Sequence, residues 1–205
     1  LSPDGLRIAF VARGDDGKQM LWVRALDALT AQPLAGTEDA SHPFWSPDSR
    51  FLGFFSSGKL RKIDANGGPP QALCDVTGGR GGTWSAGGTI LFTPSPTDVI
   101  YKVSAAGGAP VAVTEFDAKT AESSHRFPVF LPDGEHFLFL VEARPDTEGS
   151  LEGFTLFAGS LDSQDRKRVL AANAAARFAK SGYLLFLGDR TLLAQRFDAG
   201  ELELI

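Results

Sequence analysis

The chain holds a single cysteine in 205 residues, so it cannot form an internal disulfide. No Cys-x-x-Cys pair and no cysteine–histidine spacing of a zinc site is present. Cys74 stands in the apolar run Ala72-Leu73-Cys74-Asp75 and reads as a small core residue rather than a reactive thiol. No stretch approaches the roughly 20 consecutive apolar residues of a membrane-spanning helix. No charged-then-apolar leader segment is visible either. Sustained helical periodicity is missing as well. Residues 171–180 come nearest, but they sit just before a repeated aromatic position, which argues for a loop and a strand. Basic charge is in deficit, with 20 Lys and Arg against 25 Asp and Glu and a net charge of −5. A nucleic-acid-binding surface would be basic, so no nucleic-acid partner is expected. The one compact basic run, Arg166-Lys167-Arg168, reads as a solvated strand edge or turn.

The signatures of common catalysts are absent too. There is no Gly-x-Ser-x-Gly elbow, no phosphate-binding loop and no His-Glu-x-x-His pair. Gly78-Gly79-Arg80-Gly81-Gly82 is glycine-rich but leads into a strand rather than a helix. It therefore lacks the helix N-terminus that lets such loops hold phosphate, and reads as a connection. The aspartates Asp4, Asp48 and Asp133 lack calcium-loop spacing and suit turn stabilisation instead. No catalytic residue, cofactor or metal is expected in this segment.

What is present is a repeat. Ser2-Pro3-Asp4-Gly5 returns as Ser46-Pro47-Asp48-Ser49, Ser85-Ala86-Gly87-Gly88, Leu131-Pro132-Asp133-Gly134 and Ala179-Lys180-Ser181-Gly182. The second positions fall at residues 3, 47, 86, 132 and 180, so the period is that of a propeller blade of roughly 40–50 residues. Two residues before the last four of these positions stand Trp45, Trp84, Phe130 and Phe178. Each turn is followed by a β-rich run, a polar gap, a further strand and a short last strand. The strand after the gap ends on Asp27, Asp64, Asp162 and Asp198, with Ser104 in the third copy. Four antiparallel strands form a sheet with two apolar faces, and stacking such sheets around an axis buries both. With hydrophobic residues at 43 % there is enough apolar material for such a core. The expectation is an all-β chain: a β-propeller of four-stranded antiparallel blades, with about five blades present. They run over 1–36 (partial), 40–75, 79–114, 124–171 and 174–205. Because the chain opens and closes inside repeats, it reads as a fragment of a ring of six or more blades. The repeated aromatics are expected to pack between blades, and the insert 143–153, with Asp146 and Glu148, to be a surface loop.

The Ser-Pro-Asp-Gly turn, the aromatic ahead of it and the aspartate ending the third strand resemble TolB-like, WD-repeat-like bacterial propellers over essentially the whole chain. A narrower set of segments is similar to the C-terminal propellers of bacterial transmembrane serine/threonine protein kinases. These include Gly82-Thr83-Trp84-Ser85 with Thr89-Ile90-Leu91-Phe92-Thr93-Pro94, and Val103-Ser104-Ala105-Ala106-Gly107-Gly108-Ala109-Pro110. Glu122-Ser123-Ser124-His125-Arg126-Phe127-Pro128 and Gly182-Tyr183-Leu184-Leu185-Phe186 complete the set. The resemblance implies a non-catalytic sensor or scaffold domain on the periplasmic or extracellular face of a bacterial membrane, in a membrane-anchored parent. No kinase motif stands in this chain. Alternatives are a substrate-gating propeller of a prolyl-oligopeptidase-like serine hydrolase and a stand-alone periplasmic TolB-like protein.

In a propeller the residues preceding an innermost strand lie at the axial channel. Arg80 and Arg126 each stand six residues before their blade's reference position, so both guanidinium groups are expected at one rim. His42, His125 and Glu122 are expected beside them. Such a set would hold a carboxylate of a protein, peptide or small ligand.

Overall fold

The computed structural model describes residues 1–143, 153–172, 174–179, 181–188 and 190–205. Asp146, Glu148 and Lys180 lie outside the described residues. Among the described residues there are nineteen strands and no helix. Blade 1 contains β1 (Arg7–Arg13), β2 (Gln19–Ala25) and β3 (Gln32–Pro33). Blade 2 contains β4 (Ser41–Trp45), β5 (Phe51–Ser56), β6 (Lys59–Asp64) and β7 (Gln71–Asp75). Blade 3 contains β8 (Gly82–Trp84), β9 (Thr89–Phe92), β10 (Tyr101–Ser104) and β11 (Val111–Ala112). Blade 4 contains β12 (Glu122–Phe130), β13 (His136–Ala143), β14 (Phe154–Ser160) and β15 (Arg166–Ala171). Blade 5 contains β16 (Arg177–Ala179), β17 (Tyr183–Gly188), β18 (Thr191–Asp198) and β19 (Glu203–Leu204). Every pairing is antiparallel between sequential strands, the pattern of a β-propeller.

The turn between the first two strands of each blade is built by local chemistry. The N–H of its fourth residue donates to the carbonyl of its first in all five copies: Gly5 to Ser2, Ser49 to Ser46, Gly88 to Ser85, Gly134 to Leu131 and Gly182 to Ala179. That fourth residue has φ between 59° and 82°, which explains glycine in four of the five copies. The carboxylates of Asp4, Asp48 and Asp133 accept backbone N–H groups from Leu6, Arg50 and Glu135, as an Asx-type turn requires. The aspartate or serine ending a later strand does the same at Asp64, Ser104 and Asp198. In blade 4 this acceptor is Ser160, which takes the N–H of Asp162.

Strand pleating then sorts side chains to opposite faces. On β13, Phe137, Phe139 and Val141 pack toward blade 3, with Leu91, Ile100 and Val113. Leu138 and Leu140 pack toward blade 5, with Leu184 and Phe197. On β5, Leu52 and Phe54 meet Leu21 and Val23 of blade 1, whereas Phe55 meets Ile90 and Phe92 of blade 3. Four apolar layers thus join the five blades. Trp45 and Trp84 each pack against one of these layers, as do Phe130 and Phe178.

The glycine-rich connection before β8 has a packing cause. A Cβ at Gly79 would lie 2.3 Å from the Phe55 ring, at Gly81 2.6 Å from Phe127, and at Gly82 2.5 Å from Phe44. Three phenylalanine rings, from blades 2 and 4, fill the space that side chains here would take.

Candidate binding site at the axial channel

The innermost strands carry a second repeated irregularity. Five residues before the reference positions 47, 86 and 132 stand His42, Gly81 and Phe127, with φ of 47°, 85° and 53°. Register skips between Ser41 and Phe44 and between Arg126 and Val129 mark β-bulges there. A bulge re-aims the side chain it carries. The His42 and Phe127 rings come within 5.7 Å, centroid to centroid, although their blades are separated by blade 3. Bare Gly81 leaves the space in which they meet.

Arg80 adjoins this pair. Its carbonyl accepts the Phe127 N–H at 2.9 Å and its own N–H donates to the Thr93 carbonyl. Its guanidinium bonds only the Gly79 carbonyl, at 3.3 Å. Among the described residues no carboxylate pairs with it. Together with Asp39, Ser41, Ser57 and Thr77 it lines an open cleft of about 160 Å³. His42 Nδ1 is buried and has no hydrogen-bond partner among the described residues. Burial, and secondarily the charge of Arg80, hold the His42 pKa below its ordinary 6.5, so the ring is neutral at pH 7.

The remaining residues expected at the rim sit elsewhere. The side chains of Glu122 and His125 have no exposed surface. They face the layer between blades 3 and 4, not the channel mouth, because the β12 pleat turns His125 onto Phe139 and Phe116. Arg126 points to neither place. Its guanidinium pairs with Glu142, donates to the Pro96 carbonyl at 3.1 Å and lies over Phe154. The two arginines are thus not an equivalent pair: Arg126 is held within the protein, whereas Arg80 has no carboxylate partner among the described residues.

Arg166 is the residue that sequence reasoning missed. It is not a solvated edge residue but grips Glu122 with two guanidinium nitrogens, at 3.0 and 2.5 Å. Its guanidinium also lies 4.7 Å from the centre of the Phe157 ring. Glu122 further accepts the Asp117 N–H and the Thr120 hydroxyl, both at 2.9 Å. His125 Nε2 lies 3.0 Å from Glu122, and its Nδ1 lies 2.8 Å from the Thr114 hydroxyl, which already accepts the Ile100 N–H. The ionised Glu122 carboxylate can only accept, so the proton sits on Nε2 and Nδ1 accepts the threonine O–H. This network clips the connection between blades 3 and 4 onto the face of blade 4.

These groups make stability depend on pH. Burial pushes the Glu122 carboxyl up, but hydrogen bonds from His125, Arg166 and the Asp117 N–H, with the Arg166 charge, outweigh it and hold the pKa at about 2. Burial is also the main reason that His125 is held below 6.5. In both cases the unfolded chain binds protons more readily than the folded one, so stability falls as pH falls. Melting temperature is expected to be level near pH 7 and to fall on the alkaline side, where burial holds the Cys74 thiol up at about 11 in the folded chain. It should drop below pH 6.5 as the histidines protonate in the unfolded state, and again between pH 4.5 and 2 through Glu122. A melting temperature unchanged from pH 7 to 4 would contradict this arrangement.

No protein-family model matches the sequence, and no curated protein sequence matches it. Solved structures do match the fold. TolB from Acinetobacter baumannii superposes with a TM-score of 0.73 at 13% identity, over 96% of this chain and 50% of that one. The fold is a β-propeller with TolB among its structural neighbours. A putative TolB from Agrobacterium tumefaciens gives a TM-score of 0.66 at 17% identity, over 82% of this chain and 62% of that one. The β-propeller domain of the Trilobed protease from Pyrococcus furiosus gives 0.59 at 10% identity, over 97% and 67%. At such identities the likeness is one of fold. The chain spans between half and two thirds of the length of both TolB structures.

Proposed function

We propose that this chain is a non-catalytic binding propeller, the extracytoplasmic sensor or scaffold domain of a bacterial receptor-like serine/threonine protein kinase. Its partner, a protein or peptide, presents a carboxylate to Arg80 and His42 at the channel. The observation that carries this reading is the unpaired Arg80 guanidinium beside a histidine whose buried Nδ1 has no partner. A half-buried guanidinium donates two parallel N–H bonds to a carboxylate when its fork is unspent. The likeness to the propeller of the Trilobed protease favours a second reading, a propeller that gates a serine hydrolase. The likeness to TolB favours a third, a free-standing periplasmic protein. The coding sequence on either side separates the three, since the kinase reading requires a kinase domain and one membrane span upstream.

The site itself is tested with a panel of labelled peptides ending in a free carboxylate, each compared with its amidated form by fluorescence anisotropy. Arg80→Ala is expected to weaken carboxylate-dependent binding at least ten-fold, roughly 1.4 kcal/mol. Binding is expected to tighten as pH falls below the ordinary histidine range, because His42 then gains charge. Equal affinity for free and amidated peptides, or for the wild type and the Arg80 variant, would remove the proposed site.

A further inference from the structure

The other ends of the innermost strands carry a different chemistry. Trp45 and Trp84 each lie three residues beyond His42 and Gly81, the positive-φ positions of their blades, about 10 Å further along the chain at the usual rise. There, a cavity of about 730 Å³ takes lining residues from all five blades, from Pro3 to Phe178, and so surrounds the axis. Its walls are the four aromatics that precede the turns: Trp45, Trp84, Phe130 and Phe178. All four are half-buried, with one side against an apolar layer and one side at the cavity. Among the described residues, the charged groups that line it are Asp133 and Glu135, both acidic. Hydrogen bonds from His136 and from the backbone N–H groups of His136 and Glu135 outweigh burial and keep Asp133 ionised.

We infer that this turn-face cavity is a second binding site, one that takes the cationic side chain of an arginine- or lysine-bearing peptide. Aromatic faces attract cations through their quadrupole, and nearby carboxylates add charge complementarity in a space partly screened from water. Wall aromatics and acidic rim suit an insertion of this kind, and the cavity has room for the side chain together with its flanking peptide, since pockets of about 300–1,000 Å³ hold drug-sized ligands. The chain already uses one of these rings in this way: the Arg7 guanidinium lies 5.2 Å from the centre of the Trp45 ring. This site is independent of the Arg80 site and has the opposite preference of charge.

The chain has three tryptophans, so its indole N–H groups give three resonances in a ¹⁵N-labelled sample. Two belong to the cavity. The third, Trp22, donates to the Ala12 carbonyl in blade 1 and serves as an internal control. The probe is acetyl-Gly-Arg-Gly-amide, compared with acetyl-Gly-Glu-Gly-amide and with tetramethylammonium chloride. The arginine peptide is expected to shift the Trp45 and Trp84 signals saturably and leave Trp22 still, while the glutamate peptide shifts none. Glu135→Lys is expected to weaken the arginine peptide at least ten-fold with the fold intact, and Trp84→Leu to do the same. Cavity signals that do not move with the arginine peptide, or that move equally with the glutamate peptide, overturn the site. A response to tetramethylammonium alone overturns the peptide as its occupant.

Discussion

Glu122→Ala is expected to cost the chain about 3–5 kcal/mol, a loss seen as a fall in melting temperature of roughly 10 °C or more. The substitution leaves the Arg166 guanidinium largely buried without its bidentate partner, and strips the Asp117 N–H, the Thr120 hydroxyl and His125 Nε2 of an acceptor. Removing one member of a buried pair is costly because the remaining charge is desolvated and unpaired. Arg166→Met is expected to cost a similar amount for the converse reason. The double variant Glu122→Gln with Arg166→Met should lose much less than the sum of the single losses, since both charges are then gone. It should also lose the drop in stability between pH 4.5 and 2, which belongs to the depressed Glu122 carboxyl. Single losses below about 1 kcal/mol would show that the network is dispensable.

Gly53→Ala and Gly82→Ala should each destabilise the chain by about 1–3 kcal/mol, although each adds only one methyl group. The Phe44 ring lies between these two glycines. A Cβ at Gly53 would stand 2.3 Å from its edge, and one at Gly82 would stand 2.5 Å away. Both glycines are in strands and neither needs an unusual φ, so backbone strain is not the cause. The penalty should therefore shrink in a Phe44→Leu background, where the ring no longer reaches them, as read by chemical denaturation. An alanine tolerated at both sites would mean that Phe44 does not wedge blades 2 and 3.

The parts of this protein legible in its sequence are those made by local interactions. The Ser-Pro-Asp turns were readable because their bonds join residues two to five apart, as at Asp48 and Arg50 or Ser46 and Phe51. The blade strands were readable because alternating burial leaves a two-residue period, as on β13. The regular recurrence of both elements pointed to the propeller. At the site, spacing to the repeat paired Arg80 with Arg126 and set His42 beside them; the structure keeps only Arg80 and His42 close enough for the charge of one to act on the other.

Tertiary structure decided the rest, wherever partners lie far apart along the chain. Glu122 and Arg166 are 44 residues apart and meet only because four strands of one blade bring β12 and β15 onto a common face. Nothing local distinguishes Arg166 from Lys167, yet the pleat sends the first to Glu122 and the second to Glu203 on blade 5. The fate of Arg126 depended in the same way on Glu142, its cross-strand neighbour. The run from Gly78 to Gly82 looked like a flexible connection. Gly79, Gly81 and Gly82 are glycine because rings from blades 2 and 4 occupy the positions of the missing side chains. Sequence determined the blade and its turns, because hydrogen bonds and pleat act over a few residues. Only the packing of blade against blade determined which charges are buried, which are paired, and which remain free to bind.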